Sequence, residues 1–133
     1  HFSRPFIFSA SLPPANVATV LACLDVLEQE PERVERLSKV GERMRTELRA
    51  MGYDIGLSQT PIIPMVIGDP FSTIRAWKIL FDAGIYTNVA LPPAVPPNFA
   101  LLRTSYMATH TDAHLDRILQ TFKEVKDELH LAM

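Results

Sequence analysis

The sequence contains a single cysteine, Cys23, among its 133 residues. One cysteine cannot form an internal disulfide, which makes a reducing compartment the simpler expectation. Cys23 also lies within a helical apolar pattern, without a basic side chain nearby to activate its thiol. We therefore expect neither a disulfide nor a cysteine nucleophile, and we predict a cytoplasmic protein.

Charge of one sign and long apolar runs are also scarce. The 13 Lys and Arg residues nearly balance the 15 Asp and Glu residues, which leaves no broad basic surface for nucleic acid. No apolar run approaches the roughly 20 residues of a membrane-spanning helix, and the N-terminus lacks the apolar core of a signal peptide. The remaining composition, 47% hydrophobic and 21% charged, fits a globular domain with a core of its own.

The spacing of the apolar residues predicts an α+β fold. Residues 4–12 are expected to be extended, because Phe6 and Phe8 share one face. We expect a sheet of about three antiparallel strands with helices on one face. Its strands are predicted at residues 61–67, 85–90 and 99–108, and the two prolines of the first indicate either a sheet edge or the beginning of a strand. Helices are predicted over residues 15–30, 32–51 and 72–83, and a closing helix begins at Thr111 or Asp112.

Each of these helices has an apolar stripe that we expect to be buried. Pro31 should separate the first two helices and Gly52 should end the second. The expected buried residues are, in the first helix, Val17, Val20, Leu21, Leu24 and Leu27; in the second, Val34, Leu37, Val40, Met44 and Leu48; in the third, Ile74, Trp77, Leu80 and Phe81; and in the last, Leu115, Ile118, Leu119, Phe122, Val125 and Leu129.

Groups typical of metal or acid–base sites are thinly distributed. His110 and His114 have the spacing of two metal ligands on a helix, but no third ligand and no neighbouring glutamate accompany them. Solvent-facing or capping histidines are the expected interpretation, and we predict no metal site. Asp and Glu are concentrated on exposed helix faces, which does not favour a pair of catalytic carboxylates. A glycine-rich phosphate loop is absent from the sequence.

Arg103 is an isolated charge within an apolar strand. Period-two alternation places Leu101, Arg103 and Ser105 on one face. A guanidinium there must be exposed or paired with an anion, and its planar fork can donate two parallel hydrogen bonds to a carboxylate. Two interpretations stay open, a structural salt bridge and a site for the carboxylate of a ligand.

Two loop segments are further candidates. The segment RPFIFSASLPPA, residues 4–15, places Ser9 and Ser11 between an apolar stretch and a helix start. Small residues there could let a phosphate approach main-chain N–H groups, or could simply end a strand and cap a helix. The prolines of LPPAVPP, residues 91–97, hold that loop extended, either as a rigid lid beside a site or as a stiff connection.

Together, RPFIFSASLPPA and GIYTNVALPPAVPPNFALLRTSYMATHT resemble the C-terminal part of the α-oxoamine synthases. The resemblance covers nearly the whole chain in the same order, and RPFIFSASLPP and G-I-Y-x-N are most like the bacterial serine palmitoyltransferases. It implies the small C-terminal domain of a fold-type-I, aspartate-aminotransferase-like enzyme that uses pyridoxal 5'-phosphate (PLP). It also implies a homodimer that condenses an amino acid with an acyl-CoA, usually with loss of CO2, as in sphingolipid biosynthesis.

The resemblance also implies roles for individual residues. Arg103 matches the arginine that binds the amino-acid carboxylate, and Ser9 and Ala10 match positions that reach the PLP phosphate of the other subunit. Leu91 departs from the pattern, because some relatives have arginine before this Pro-Pro pair. The Schiff-base lysine lies upstream in the family, and the four lysines of this sequence are in helical patterns. This chain alone is therefore expected to contain no catalytic residue and to be inactive.

The expected organisation is a linking segment, residues 1–13, followed by a small α+β domain, residues 14–133. Because the sequence opens at His1 without an initiator methionine, we interpret it as a piece of a longer polypeptide. Two alternatives remain. One is a non-catalytic α+β module for dimerisation or regulation, and the other is a different α-oxoamine synthase, such as 8-amino-7-oxononanoate synthase or 2-amino-3-ketobutyrate ligase.

Overall fold

The computed structural model describes residues 2–7, 10 and 12–129. The chain divides into two compact units, residues 1–34 and 35–133. Eight regular elements follow one another along these residues.

The first unit contains two helices, α1 (Arg4–Ile7) and α2 (Pro14–Gln29). The prediction that residues 4–12 are extended is therefore wrong over Arg4–Ile7. Pro5 lies near the start of α1, where its fixed φ suits a helix and its missing N–H costs no hydrogen bond. Of the remaining segment, Phe8, Ser9 and Ser11 lie outside the described residues.

The apolar stripe predicted for α2 is not buried. Val17, Val20, Leu21, Leu24 and Leu27 are each between 41% and 57% exposed, and α2 has no buried residue. Apolar residues also occupy the other sides of this helix, including Val26, so that a single buried stripe is not well defined. The helix itself agrees with the prediction, because Pro14–Gln29 matches the predicted residues 15–30 and ends before Pro31.

The helix α3 (Glu32–Ala50) supplies the first part of the core. Its residues Val40, Met44 and Leu48 are buried as predicted, whereas Val34 is 51% exposed. The helix ends at the predicted glycine. Gly52 adopts a φ of 86°, a left-handed conformation that glycine reaches without a Cβ clash, and Tyr53 N–H donates to the carbonyl of Leu48.

Three antiparallel strands form the sheet, in the order β1 (Ile62–Gly68), β3 (Ala100–Ser105), β2 (Asn88–Ala90). The predicted three-stranded antiparallel sheet is thus confirmed, with β1 at an edge, one of the two possibilities that its prolines indicated. Strands β2 and β3 are shorter than predicted. Residues 85–87 precede β2 without pairing in the sheet, and beyond β3 the N–H of Tyr106 donates to the carbonyl of Pro61.

Two further helices contribute to the core, α4 (Pro70–Asp82) and α5 (Asp112–Leu129). Asp69 caps α4 by accepting a 2.7 Å hydrogen bond from Ser72 N–H, which lowers the pKa of its carboxyl. Thr111 caps α5, since its Oγ1 accepts from the N–H of His114. Helix α4 contacts all three strands as well as α5.

The buried face of α4 differs from the predicted one. Thr73, Ala76 and Leu80 are buried, whereas the predicted Ile74 and Phe81 are 44% and 51% exposed. The sequence pattern is ambiguous here, because α4 has large apolar residues on several of its sides. The side that packs on the sheet has the small Ala76, which allows a close approach. In α5 the prediction is confirmed at four buried positions: Leu115, Leu119, Phe122 and Val125.

One side of the sheet faces this core and the other does not. On β3, Ala100, Leu102 and Thr104 are buried, while Arg103 and Ser105 are exposed. Strand β1 follows the same alternation, with Ile63 and Met65 fully buried. The predicted α+β class is confirmed, and the second face of the sheet, called the open face below, is left uncovered by the described residues of this unit.

Candidate functional site

Arg103 lies at the middle of the open face. It occupies the central strand β3, with Pro64 of β1 opposite it on one side and Asn88 of β2 on the other. Leu101 and Ser105 share its face, as the alternation predicted. The side chain of Arg103 is exposed on this face of the sheet.

A short series of hydrogen bonds joins Arg103 to β2 and the segment before it. Arg103 Nη2 donates to Asn88 Oδ1 at 3.3 Å, and Asn88 Nδ2 approaches the hydroxyl of Tyr86 at 3.5 Å. Tyr86 is 73% exposed. All three side chains are on the exposed side of the sheet, where a ligand could reach them.

The charge of Arg103 is not balanced within the described part of the chain. Ion pairs there use other cations: Arg33, Arg36, Arg43, Arg75 and Lys78. Among the same described residues, Arg103 has only the neutral amide of Asn88 as a side-chain partner. Of the two interpretations left open by the sequence, the structural salt bridge has no partner among the described residues.

A cleft of about 460 Å³ opens beside this face. It lies between the end of β3, the segment before β2 and the first turns of α5, and Arg103 is not one of its lining residues. Tyr86 and Ser105 belong both to the cleft and to the surroundings of Arg103. Tyr106, His110 and Arg117 line its other walls.

Two groups of this cleft have shifted pKa values. Burial raises the pKa of Tyr106 to about 12, so its hydroxyl keeps its proton. Burial, together with the neighbouring His114, lowers the pKa of His110. The Nδ1 atoms of His110 and His114 accept main-chain N–H bonds from Met107 and Thr111, which makes them local capping groups. This agrees with the interpretation predicted for both histidines.

The aminotransferase class I and II family model matches residues 1–122 of the chain. A solved structure of SPT with PLP superposes with a TM-score of 0.86 at 34% sequence identity, over 98% of this chain and 33% of that one. The sequence is 44% identical over 126 residues to serine palmitoyltransferase of Bacteriovorax stolpii.

The chain belongs to the class I and II aminotransferase family, as an α-oxoamine synthase member. The similarity to this group confirms the resemblance given by the sequence motifs and the fold-type-I class. The chain is also 37% identical to 8-amino-7-oxononanoate synthase of Symbiobacterium thermophilum, over 98% of this chain and 33% of the relative. The match to the Bacteriovorax enzyme covers 95% of this chain and 30% of that relative. The chain thus spans about a third of the length of the relatives it matches.

In this α-oxoamine synthase chain, the predicted site residues fall in both units. Arg103 belongs to the second unit and Ala10, which is exposed, to the first. Ser9 lies outside the described residues. The loop of residues 91–97 lies between β2 and β3 in the chain, and most of its residues are exposed. The roles of Ser9, Ala10 and Arg103 remain predictions.

Two residues of the site are new relative to the sequence interpretation, Asn88 and Tyr86. The alternation of the segment before the proline loop contains the signal, because Tyr86, Asn88 and Ala90 are two residues apart and share a face. What the sequence could not supply is the register that sets Asn88 opposite Arg103.

The described residues contain no group of three His, Cys, Asp or Glu side chains able to hold a metal ion. No helix in that part of the chain is both long and apolar enough to cross a bilayer.

Proposed function

We propose that this chain is the C-terminal part of a longer PLP-dependent acyltransferase that condenses an amino acid with an acyl-CoA, in the manner of a serine palmitoyltransferase. The identity to that enzyme of Bacteriovorax stolpii, spread over most of this chain and about a third of the relative, supports this assignment. As in the sequence interpretation, residues 1–13 would form the link from the upstream domain and residues 14–133 the small domain.

The observation that carries the proposal is the unbalanced guanidinium of Arg103 on the open face of the sheet. Its planar fork suits the carboxylate of an amino acid, which it can bind through two parallel, charge-assisted hydrogen bonds. Fixing the carboxylate fixes the orientation of the α-carbon, and orientation of a reacting group is itself a large part of catalysis. Arg103 would thus position the amino-acid substrate without taking part in proton transfer.

This chain would help to hold PLP without supplying the lysine that forms the Schiff base. Its four lysines lie on α3, α4 and α5, where Lys78 pairs with Asp82 and Lys126 donates to the carbonyl of Met51. We infer that the Schiff-base lysine is upstream. PLP, when bound, supplies an electron sink for the carbanion at the α-carbon.

Ser9 and Ala10 are proposed to approach the PLP phosphate of the other subunit in a homodimer. Ala10 is exposed and has only main-chain groups for hydrogen bonding, so its contribution would come from its N–H. The hydroxyl of Ser9 would be the second donor. The predicted cytoplasmic location and a role in sphingolipid biosynthesis belong to the same proposal.

Substitution of Arg103 in the complete polypeptide tests this function. Arg103→Ala should raise the KM for the amino acid by about 10- to 100-fold, because a charge-assisted hydrogen-bond pair is lost. Arg103→Lys keeps the charge but loses the planar fork, so its KM for the amino acid should lie between those of the wild type and Arg103→Ala. Arg75→Ala removes an exposed arginine of α4 that pairs with Glu128, and serves as the control. Equal kinetics for Arg103→Ala and Arg75→Ala would remove Arg103 from the site.

The chemistry itself is tested by reducing the complete polypeptide with borohydride and locating a pyridoxyl-labelled lysine by mass spectrometry. A label upstream of His1 supports the proposal. No label at full recovery of the protein favours the non-catalytic module instead. Turnover with serine, glycine or alanine as the amino acid separates a serine palmitoyltransferase from the other α-oxoamine synthases.

A further inference from the structure

Asn88 is the one side chain that holds Arg103 among the described residues. It lies on β2 directly opposite Arg103, and its Oδ1 accepts a hydrogen bond from Arg103 Nη2 at 3.3 Å. The neighbour on the other side, Pro64 of β1, has a side chain without hydrogen-bonding atoms. The guanidinium is therefore held from the β2 side alone.

The amide of Asn88 has only one orientation that suits both of its neighbours. A guanidinium can donate and cannot accept, so the oxygen of the amide must face Arg103. The nitrogen then faces the hydroxyl of Tyr86, which is 3.5 Å away. Because a phenol hydroxyl can accept as well as donate, Tyr86 is compatible with this orientation, and Arg103 alone decides it.

The electrical neutrality of Asn88 matters as much as its hydrogen bond. A carboxylate at this position would pair with Arg103 and would compete with the carboxylate of any ligand. An amide orients the guanidinium and leaves its charge unbalanced. The contact with Asn88 uses only one N–H of the guanidinium, and no other side chain of the described residues accepts from Arg103, which leaves its remaining N–H groups available to a ligand.

We propose that Asn88 is a positioning residue for Arg103, whose neutral amide oxygen orients the guanidinium toward the carboxylate of the amino-acid substrate and preserves its charge. This inference rests on the proposed function, because it assigns Asn88 to the same binding step. Asn88 acts through Arg103 and is not itself assigned a contact with the substrate.

The decisive variant is Asn88→Asp in the complete polypeptide, since aspartate has nearly the same shape as asparagine. The new charge should pair with Arg103 and raise both the Kd and the KM for the amino acid by roughly tenfold or more. The KM for the acyl-CoA should change by less than about twofold. Asn88→Ala, which removes the hydrogen bond without adding charge, should raise the amino-acid KM by about two- to tenfold.

Calorimetric titration of the amino acid gives the Kd independently of turnover, and thermal melting shows whether each variant is folded. A purely structural role for Asn88 predicts a different pattern. Asn88→Asp would then leave the melting temperature unchanged or raise it through the new ion pair, with no change in amino-acid affinity. Asn88→Gln retains a neutral acceptor with a longer reach and should recover most of the affinity lost in Asn88→Ala.

Two controls separate the effect on Arg103 from a general effect of charge. Gln120→Glu adds a negative charge on the exposed side of α5, away from the open face, and should leave the KM unchanged. In an Arg103→Ala background, Asn88→Asp should have less than about twofold further effect, because the residue it neutralises is gone.

The outcomes also distinguish the two proposals. A tenfold loss of affinity in Arg103→Ala together with wild-type affinity in Asn88→Asp would overturn the role of Asn88 and leave the proposed function intact. A wild-type polypeptide without a PLP-labelled lysine and without amino-acid binding would overturn the proposed function. Loss of amino-acid affinity in Asn88→Asp, together with most of the wild-type affinity in the neutral Asn88→Gln, supports both.

Discussion

The hydroxyl of Tyr53 donates a 2.7 Å hydrogen bond to the main-chain carbonyl of Phe122, and the two rings meet edge to face with centroids 5.6 Å apart. Both residues are buried, at 3% and 0% exposure. The pair joins the segment after α3 to the middle of α5 through one polar and one apolar contact.

Tyr53→Phe should lower the free energy of unfolding by about 1 kcal/mol, because a buried hydrogen bond is lost while the ring contact remains. Urea denaturation at neutral pH measures the change. The matched control is Tyr86→Phe, whose hydroxyl belongs to a residue that is 73% exposed, with an expected change below about 0.5 kcal/mol. Equal losses in the two variants would contradict the importance of the buried bond.

The stability of the domain should fall as the pH is lowered below about 6.5, in part through His110. Burial lowers the pKa of His110 in the folded state, so the unfolded chain binds the proton more readily and acid favours unfolding. Protonation also removes the acceptor that Nδ1 offers to Met107 N–H at 3.2 Å. Urea midpoints measured between pH 5 and pH 7 should show a smaller pH dependence in His110→Gln than in the unsubstituted chain, and an identical dependence would contradict the prediction.

The 133-residue chain by itself is expected to associate or aggregate. Helix α2 has no buried residue and exposes six large apolar side chains, a larger surface than isolated domains usually leave uncovered. Sedimentation velocity at increasing concentration measures the association. Replacing Val20, Leu24 and Leu27 by glutamine should shift the chain toward a monomer, and a clean monomer before substitution would contradict the prediction.

Much of the architecture follows from patterns that act over short distances. Proline and glycine mark the ends of α2 and α3, and Thr111 caps α5 as expected, because these residues act through their own main-chain geometry. The strand containing Arg103 was predictable for a similar reason. Its alternation of inward and outward side chains has only one arrangement that buries Leu102 and exposes Arg103.

The burial predictions are wrong where a helix has apolar residues on several of its sides. In α4, Leu80 is buried as predicted, but Thr73 and Ala76 are buried in place of the larger Ile74 and Phe81, since close packing against the sheet favours the smaller side chains. In α2 the same ambiguity extends around the whole helix. Asn88 was not predicted because its role depends on strand register, which the pairing of β2 with β3 determines and which no local pattern encodes.

Both edges of the sheet discourage further strand pairing. Strand β1 carries Pro64, which has no N–H to offer a new strand, and its main chain already forms one bridge with Asp54 through Val66 N–H. The opposite edge, β2, is three residues long. Short or proline-bearing edges are the means by which sheets avoid recruiting strands from other molecules. Association of this chain should therefore occur through side chains, rather than through a growth of β-structure from one molecule to the next.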